Sequence, residues 1–356
     1  MTDSRPHIAG LLPDQILEHF RAHPQWTGGT EIRDDECRRL LAQAVSSNGV
    51  RAQKSRPLAG RTLALARDVF DYSHLEIVER DEDDTDGFVK YLFRHGDGAL
   101  SEAVRIPLEK PGTFTVCLSS QVGCAMQCAF CATGRLGLTR NLQAWEIVQS
   151  LVAVRDEAPG RVTGAVFMGQ GEPLSNYDEV MQAAQVLSHP AGCAIAADAI
   201  TISTVGLVPQ IRRFATERRP YRLIVSLTSA VAERRRELLP VASKFSPEQV
   251  ASALGAYAEA CKTRVTIAWV LMAGVNTGQD ELTALREIFG DLPLRINLID
   301  VNDSRPDGYR PPDATELASF RDRLRALGVP VVRRYSGGRN KDAACGMLAA
   351  RRQGSR

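Results

Sequence analysis

The chain has almost no excess charge of either sign. Its 356 residues carry 44 Lys and Arg against 42 Asp and Glu, a net +2, so bulk charge does not announce a nucleic-acid binder. Any RNA affinity must come from local clusters. The candidates are Arg212, Arg213, Arg218 and Arg219, then Arg234 to Arg236, then Arg333, Arg334, Arg339 and Lys341, each set against the reading of an ordinary solvated face. Long apolar runs are also missing, so no segment approaches the length of a membrane span. The first residues, MTDSRPHIAGLLPDQ, have no apolar run behind basic ones, and a signal peptide is not expected. Eight cysteines in this length do not suggest a secreted disulfide framework. The protein is therefore read as cytosolic, with its thiols available. Apolar content of 44% and charged content of 24% are those of a soluble globular chain, long enough for one large domain and a small one.

What the sequence does have is a concentration of thiols between Cys117 and Arg140. Cys124, Cys128 and Cys131 form C-x-x-x-C-x-x-C, three thiols on one short loop. Such spacing lets a loop supply convergent thiolates to an iron–sulfur cube. Three ligands would leave one iron open to a substrate or cofactor, as an open position marks a catalytic zinc. A zinc knuckle lacking its fourth ligand, or three unrelated core cysteines, are the alternatives. No second Cys or His pair at zinc spacing accompanies the motif.

Along the chain, residues 10 to 70 have helical periodicity. Leu12, Ile16, Leu17 and Phe20 share one face, as do Leu40, Leu41, Ala44 and Val45. From Leu75 the pattern turns to LEIVER, FVKYLFR and EAVRIP, separated by DEDDTDG and HGDG, which predicts an antiparallel meander. By strand pattern alone Glu102, at the start of the third run, would be an exposed glutamate. Beyond Gly112 the runs TFTVCLSS, GAVFMG, AITIST, RLIVSLT, RVTIAWVLM and RINLID alternate with helical stretches, an α/β pattern predicting a partial (β/α)6 barrel. The expected division is 1–74 helical accessory region, 75–110 meander, 111–340 barrel and 341–356 C-terminal tail.

Active sites of such barrels sit at the carboxyl ends of the strands. Cys117 and the thiol loop follow the first strand, Gly169 to Pro173 the second, Ser203 the third, Ser226 to Thr228 the fourth and Asn302 the sixth. Gly169-Gln170-Gly171-Glu172-Pro173 offers close backbone approach and one carboxylate able to accept from an ammonium group.

The strings SSQVGCAMQCAFCATG, FMGQGEP, ISTVGLVP and DAACGML, running in order from about Glu102 to Leu348, resemble the RlmN/Cfr family of radical S-adenosylmethionine RNA methyltransferases over about two-thirds of the chain. The resemblance implies a radical-SAM partial barrel, a 4Fe-4S cluster on Cys124, Cys128 and Cys131, and S-adenosyl-L-methionine held by Gly171, Glu172, Ser203, Ser226, Leu227, Thr228 and Asn302. It implies a methyl group carried by Cys345 as S-methylcysteine, a transient disulfide of Cys345 with Cys117, and Glu102 as proton acceptor. The implied activity is methylation of an adenine in ribosomal or transfer RNA at carbon 2, with carbon 8 the close variant and an electron donor such as flavodoxin as partner. Two departures are local: the family's His-Ala after Ser-Leu is Thr228-Ser229 here, and its usual Met is Gln170. The family's small helical RNA-binding domain matches little of the N-terminal region. The readings from other classes are an RNA-binding protein with a structural cluster and a radical enzyme acting on a non-RNA substrate. Cys37, Cys193 and Cys261 match no family function.

Overall fold

The computed structural model describes residues 5–24, 32–46, 57–334 and 337–349. Three short helices come first: α1 (Pro13–Ala22), α2 (Asp34–Ala44) and α3 (Gly60–Val69). Their apolar stripes are those of the sequence periodicity. Ile16, Phe20, Leu40, Leu41 and Val45 are buried, and Leu17 is half-buried. They join the same hydrophobic core as the barrel, with Phe20 edge-on to Phe70 at 5.2 Å and His7 stacked on Trp145 at 4.1 Å.

The meander forms as expected. Strands β1 (Glu76–Glu82), β2 (Val89–Arg94) and β3 (Leu100–Pro107) pair antiparallel. It does not stand apart, because β3 also pairs antiparallel with β4 (Thr113–Leu118), the first strand of the barrel. A separate hairpin, β5 (Gln121–Cys124) with β6 (Gly137–Asn141), brackets the thiol loop and the short α4 (Ala132–Leu136). The parallel part continues with α5 (Ala144–Glu157), β7 (Arg161–Phe167), α6 (Tyr177–Ser188), β8 (Ile200–Thr204), α7 (Val208–Thr216) and β9 (Arg222–Ser226). It ends with α8 (Ala232–Leu238), α9 (Pro247–Cys261), β10 (Val265–Leu271), α10 (Gln279–Phe289), β11 (Leu294–Asp300), α11 (Ala314–Ala326) and β12 (Val331–Arg333). The sheet order is β1-β2-β3-β4-β7-β8-β9-β10-β11-β12, an open curve rather than a closed barrel. Within this sheet, three-residue β12 is the strand that apolar patterning did not mark.

Parallel strands are buried on both faces, and here the two faces part cleanly. On β10, Val265, Ile267, Trp269 and Leu271 pack into the main core under the helices. Alternation turns Ala268 inward, where it meets Ile224, Ile299 and Met168 in a cluster lining the lumen. Local signals agree with the ends of the elements. Ser246 caps α9, accepting from Gln249 N–H at 3.4 Å, and Asp313 caps α11, accepting from Glu316 N–H at 2.8 Å.

A buried charge network fastens the meander to the barrel. Glu146 at the start of α5 meets His95 Nδ1 at 2.7 Å and accepts both Arg140 guanidinium nitrogens at 2.8 Å, while Arg140 also binds Asp97. Burial pushes the Glu146 carboxyl up, but the bonds from His95 and Arg140 outweigh it and bring it down to about 2. A depressed carboxylate stabilises the fold above its unfolded value and loses that contribution as pH falls through the folded one. Urea unfolding of the wild type should therefore show stability declining from about pH 4.5 towards pH 2. Glu146→Ala should lack that contribution and lose roughly 3–5 kcal/mol at neutral pH, because it removes the buried carboxylate that His95 and Arg140 both meet.

Candidate active site

Parallel pairing delivers the chemistry to one rim. Cys117 lies opposite Val166 in the β4–β7 register, so the chain leaving β4 and the glycine turn leaving β7 run side by side. They interlock through Ser119, whose hydroxyl accepts from Gln170 N–H at 3.0 Å, and through Ser120 N–H, which donates to the Gln170 carbonyl at 2.8 Å. Gly171 has φ +98, and a Cβ there would stand 2.6 Å from Ser120 Oγ, so no other residue suits the turn.

That turn aims Glu172 into a cavity of about 130 Å³ lined by Cys124, Cys128, Cys131, Gly171, Ser203, Ser226 and Cys345. The Glu172 carboxylate accepts from Leu174 N–H and Val205 N–H, each at 2.9 Å. Those bonds do not offset burial, which pushes the carboxyl up to about 7. A carboxylate walled in this way, with no cation beside it among the described residues, suits an ammonium group supplied by a ligand.

Two of the three loop thiols are likewise shaped by burial. Burial raises Cys124 to about 12 and Cys128 well beyond the ordinary thiol range. Among the described residues, no three His, Cys, Asp or Glu side chains converge closely enough for a single metal ion. Thiolates on three corners of a cube stand farther apart than the ligands of one ion. The donor set, sulfur without nitrogen or carboxylate, therefore fits an iron–sulfur cluster and not a zinc knuckle.

Cys345 belongs to this cavity and to a smaller one of about 70 Å³ that also holds Cys117, Met168 and Arg334. Cys345 is exposed, and it lines both cavities. Surrounding protein raises both thiols, Cys117 to about 12, and Arg334 pulls each the other way. Both are free thiols. The tail is held in this position by bonds from the start of α4, Ala132 N–H to the Gly346 carbonyl and the Thr133 hydroxyl to the Leu348 carbonyl, both at 2.7 Å. Asn302 Nδ2 donates to the Cys345 carbonyl at 3.2 Å.

Glu102 is not the exposed glutamate of its strand pattern. It sits two residues from Val104, which packs with Cys117 and Leu348, and is only 2% exposed. Lys90 Nζ lies 3.7 Å from its carboxylate and Gln170 Nε2 donates to it at 3.3 Å. The glutamine that departs from the family pattern thus holds the candidate proton acceptor.

Leu227, Thr228 and Asn302 do not line the larger cavity. Arg235 Nη1 donates to the Leu227 carbonyl at 2.5 Å and Asn276 Nδ2 to that of Thr228 at 2.7 Å. Thr228, at φ 63, turns the chain so that Ser226 alone of the run faces inward. Arg235, which sequence reading placed in an RNA-facing cluster, is 1% exposed and also reaches the Val205 carbonyl at 2.6 Å, stitching the third and fourth loops together. The other clusters are neutralised only in part, since Arg212, Arg218, Arg236 and Arg334 have no ion pair among the described residues. Arg213 pairs with Asp178 and Glu217, Arg219 with Glu217, Arg234 with Asp280 and Glu281, Arg333 with Asp300 and Lys341 with Asp81. The Arg339 side chain and residues 350–356 of the tail lie outside the described residues.

An open parallel barrel with a thiol-only loop behind its first strand and a carboxylate-bearing glycine turn behind its second defines a radical S-adenosylmethionine enzyme. The Radical SAM superfamily matches residues 118–285. A probable RNA methyltransferase of Myxococcus xanthus is 50% identical over 79% of this chain and 77% of its own length. A probable dual-specificity RNA methyltransferase RlmN of Heliobacterium modesticaldum is 41% identical over 76% and 72%. The crystal structure of a radical SAM methyltransferase from Sphaerobacter thermophilus, 32% identical, superposes with a TM-score of 0.86 over 97% of this chain and all of that one. The chain belongs to the RlmN/Cfr family of radical S-adenosylmethionine RNA methyltransferases. It is a methyltransferase, and its cofactors are a 4Fe-4S cluster and S-adenosyl-L-methionine.

Glu172→Gln should weaken S-adenosylmethionine binding on the order of tenfold to a hundredfold, the loss of a charge-assisted bond, with cluster absorbance unchanged. Wild-type affinity should rise as pH climbs through about 7 and the carboxylate forms, and the variant should lose that rise in a calorimetric titration.

Proposed function

We propose that the protein methylates an adenine of ribosomal or transfer RNA at carbon 2, with Cys345 as the methyl carrier. The observation that carries this reading is the shared position of Cys345, which faces the thiol cavity on one side and Cys117 on the other. An RNA-binding protein with a merely structural cluster would have no use for either cysteine. When bound, the cluster supplies the electron that cleaves S-adenosylmethionine reductively, and the cofactor supplies both the methyl group and the radical that activates it.

In this reading Cys124, Cys128 and Cys131 hold the cluster and leave one iron open. Gly171 and Glu172 hold the methionine ammonium, with Ser203 and Ser226 beside it. Leu227 and Thr228 shape the turn that presents Ser226, and Asn302 fixes the Cys345 main chain. Cys345 sulfur takes the methyl group by displacement and loses its proton. After the methyl carbon, activated by loss of a hydrogen atom, has bonded to adenine, the adduct must give up one electron, for which the oxidised cluster would be the acceptor, as Glu102 takes the ring proton, with Lys90 beside its carboxylate. Cys117 sulfur then attacks Cys345 sulfur. The new disulfide forms as the sulfur–carbon bond breaks, and the carbon leaves with the electron pair and is protonated. An external two-electron reductant restores the dithiol, and a one-electron carrier such as flavodoxin feeds the cluster. Keeping both thiols protonated at rest guards against premature oxidation. Residues 1–74 act as an accessory region, 75–110 and 111–340 hold the site, and the 341–356 tail delivers Cys345. No helix among the described residues is long and apolar enough to cross a membrane, and the free thiols suit a reducing cytosol. A target adenine must be unstacked to reach the cavity, which favours a loop nucleotide.

Nucleoside mass spectrometry of ribosomal and transfer RNA, from cells with and without the gene, tests the activity. Gene-dependent 2-methyladenosine is expected, and 8-methyladenosine in its place would move the assignment to the other carbon. Cys345→Ala should be inactive and free of RNA, whereas Cys117→Ala should copurify with covalently attached RNA that nuclease trims on a denaturing gel. Normal turnover by Cys117→Ala would end the two-cysteine scheme.

A further inference from the structure

The barrel has a second concavity that this chemistry does not use. It opens at the amino ends of the strands, has a volume of about 780 Å³ and carries none of the cluster cysteines, although Val166, Met168 and Arg334 line both it and the cavity of Cys117 and Cys345. Strand alternation explains its lining. Ile224 faces the lumen, and its register partner Thr266 in turn pairs with Arg295. Arg222 stands two residues before Ile224, and Arg264 two before Thr266, so each shares its neighbour's inward face. Arg222 on β9, Arg264 just before β10 and Arg295 on β11 therefore converge on one mouth, and all three line the cavity together with Arg219 and Arg334.

Like charges set side by side on neighbouring strands destabilise a sheet. Several arginines elsewhere in the chain do meet carboxylates, as at Arg140, Arg213, Arg234 and Arg333. With 42 acidic residues available, the omission here is not for want of acids. Among the described residues, Arg222, Arg264 and Arg295 have no carboxylate within ion-pair distance, and Asp198 is the one carboxylate on the wall. Deeper in, Thr115, Thr201, Thr266 and Asn297 add hydroxyls and an amide. Guanidinium forks match phosphate oxygens, and the volume lies in the range of small-ligand sites.

We propose that the amino-end mouth of the barrel is a second binding site, for a small multiply phosphorylated anion of the pyrophosphate or nucleoside-polyphosphate class. The concavity favours a small anion over an RNA backbone, because the arginines line the inside of the sheet and not a convex face. An acidic electron carrier is disfavoured by distance. The seven residues of β10 put roughly 20 Å between this mouth and the rim that bears the thiols.

The test is calorimetric titration of the cluster-loaded full chain with inorganic pyrophosphate and, separately, ATP at low and moderate salt. Binding of a single equivalent that weakens with salt is expected. Arg222→Ala and Arg295→Ala should each weaken it on the order of tenfold, and Arg295→Lys, which keeps charge without the fork, should fall between. Cluster absorbance unchanged in every variant reports an intact barrel. Absence of binding at millimolar pyrophosphate and ATP, or equal binding by wild type and variants, overturns the proposal. So does loss of RNA affinity in the variants without any effect of pyrophosphate, which would make the mouth an RNA contact instead.

Discussion

Parallel hydrogen bonding between β4 and β7 is the constraint on which the site depends. It aligns two strands whose exits carry the thiol loop and the glycine turn, and nothing in either segment alone would bring them together. Once they are aligned, Ser119, Ser120 and Gln170 lock the exits to one another. The β5–β6 hairpin then holds the thiol loop open from the other side. Every later parallel strand repeats the same direction, so each ends on the same rim with its own contribution. The meander extends this sheet through β3 and carries Glu102 on the inward face.

The second theme is charge withdrawn from water. Glu172, Glu102 and Arg235 are each almost fully buried, and each is held by main-chain or side-chain partners that fix its direction. Burial of this kind costs stability and is tolerated where a site must be shaped before its ligand arrives. Arg235 presents the plainest case. Its guanidinium satisfies carbonyls of two separate loops, so it sets the shape of the rim without touching the chemistry.

Much of this was legible in the sequence because the signals were local. The thiol spacing, the G-x-G-E-P turn, the meander and six of the parallel strands each sit within a short window with a distinct period or composition. What escaped depends on partners far along the chain. Arg234 reads as a surface cation until Asp280 and Glu281 fold against it. Glu102 reads as an exposed strand residue until Gln170 and Lys90 meet it in the fold. The β5–β6 hairpin is too short and too rich in glycine and cysteine to alternate, and β12 has only three residues. Leu227, Thr228 and Asn302 fall in the right loops, but which of them faces inward follows from a positive φ at Thr228 and from hydrogen bonds that spacing does not reveal.

The fastening of the tail bears on how the enzyme is assembled. Gly346 and Leu348 bond to the residues just past Cys131, so the segment that carries Cys345 lies across the thiols it serves. A carrier bringing a preformed cluster needs those thiols uncovered. Synthesis offers that interval, since Cys124 to Cys131 leave the ribosome long before Cys345 does. The segment that positions the methyl carrier is thus also one wall of the chamber that receives the metal.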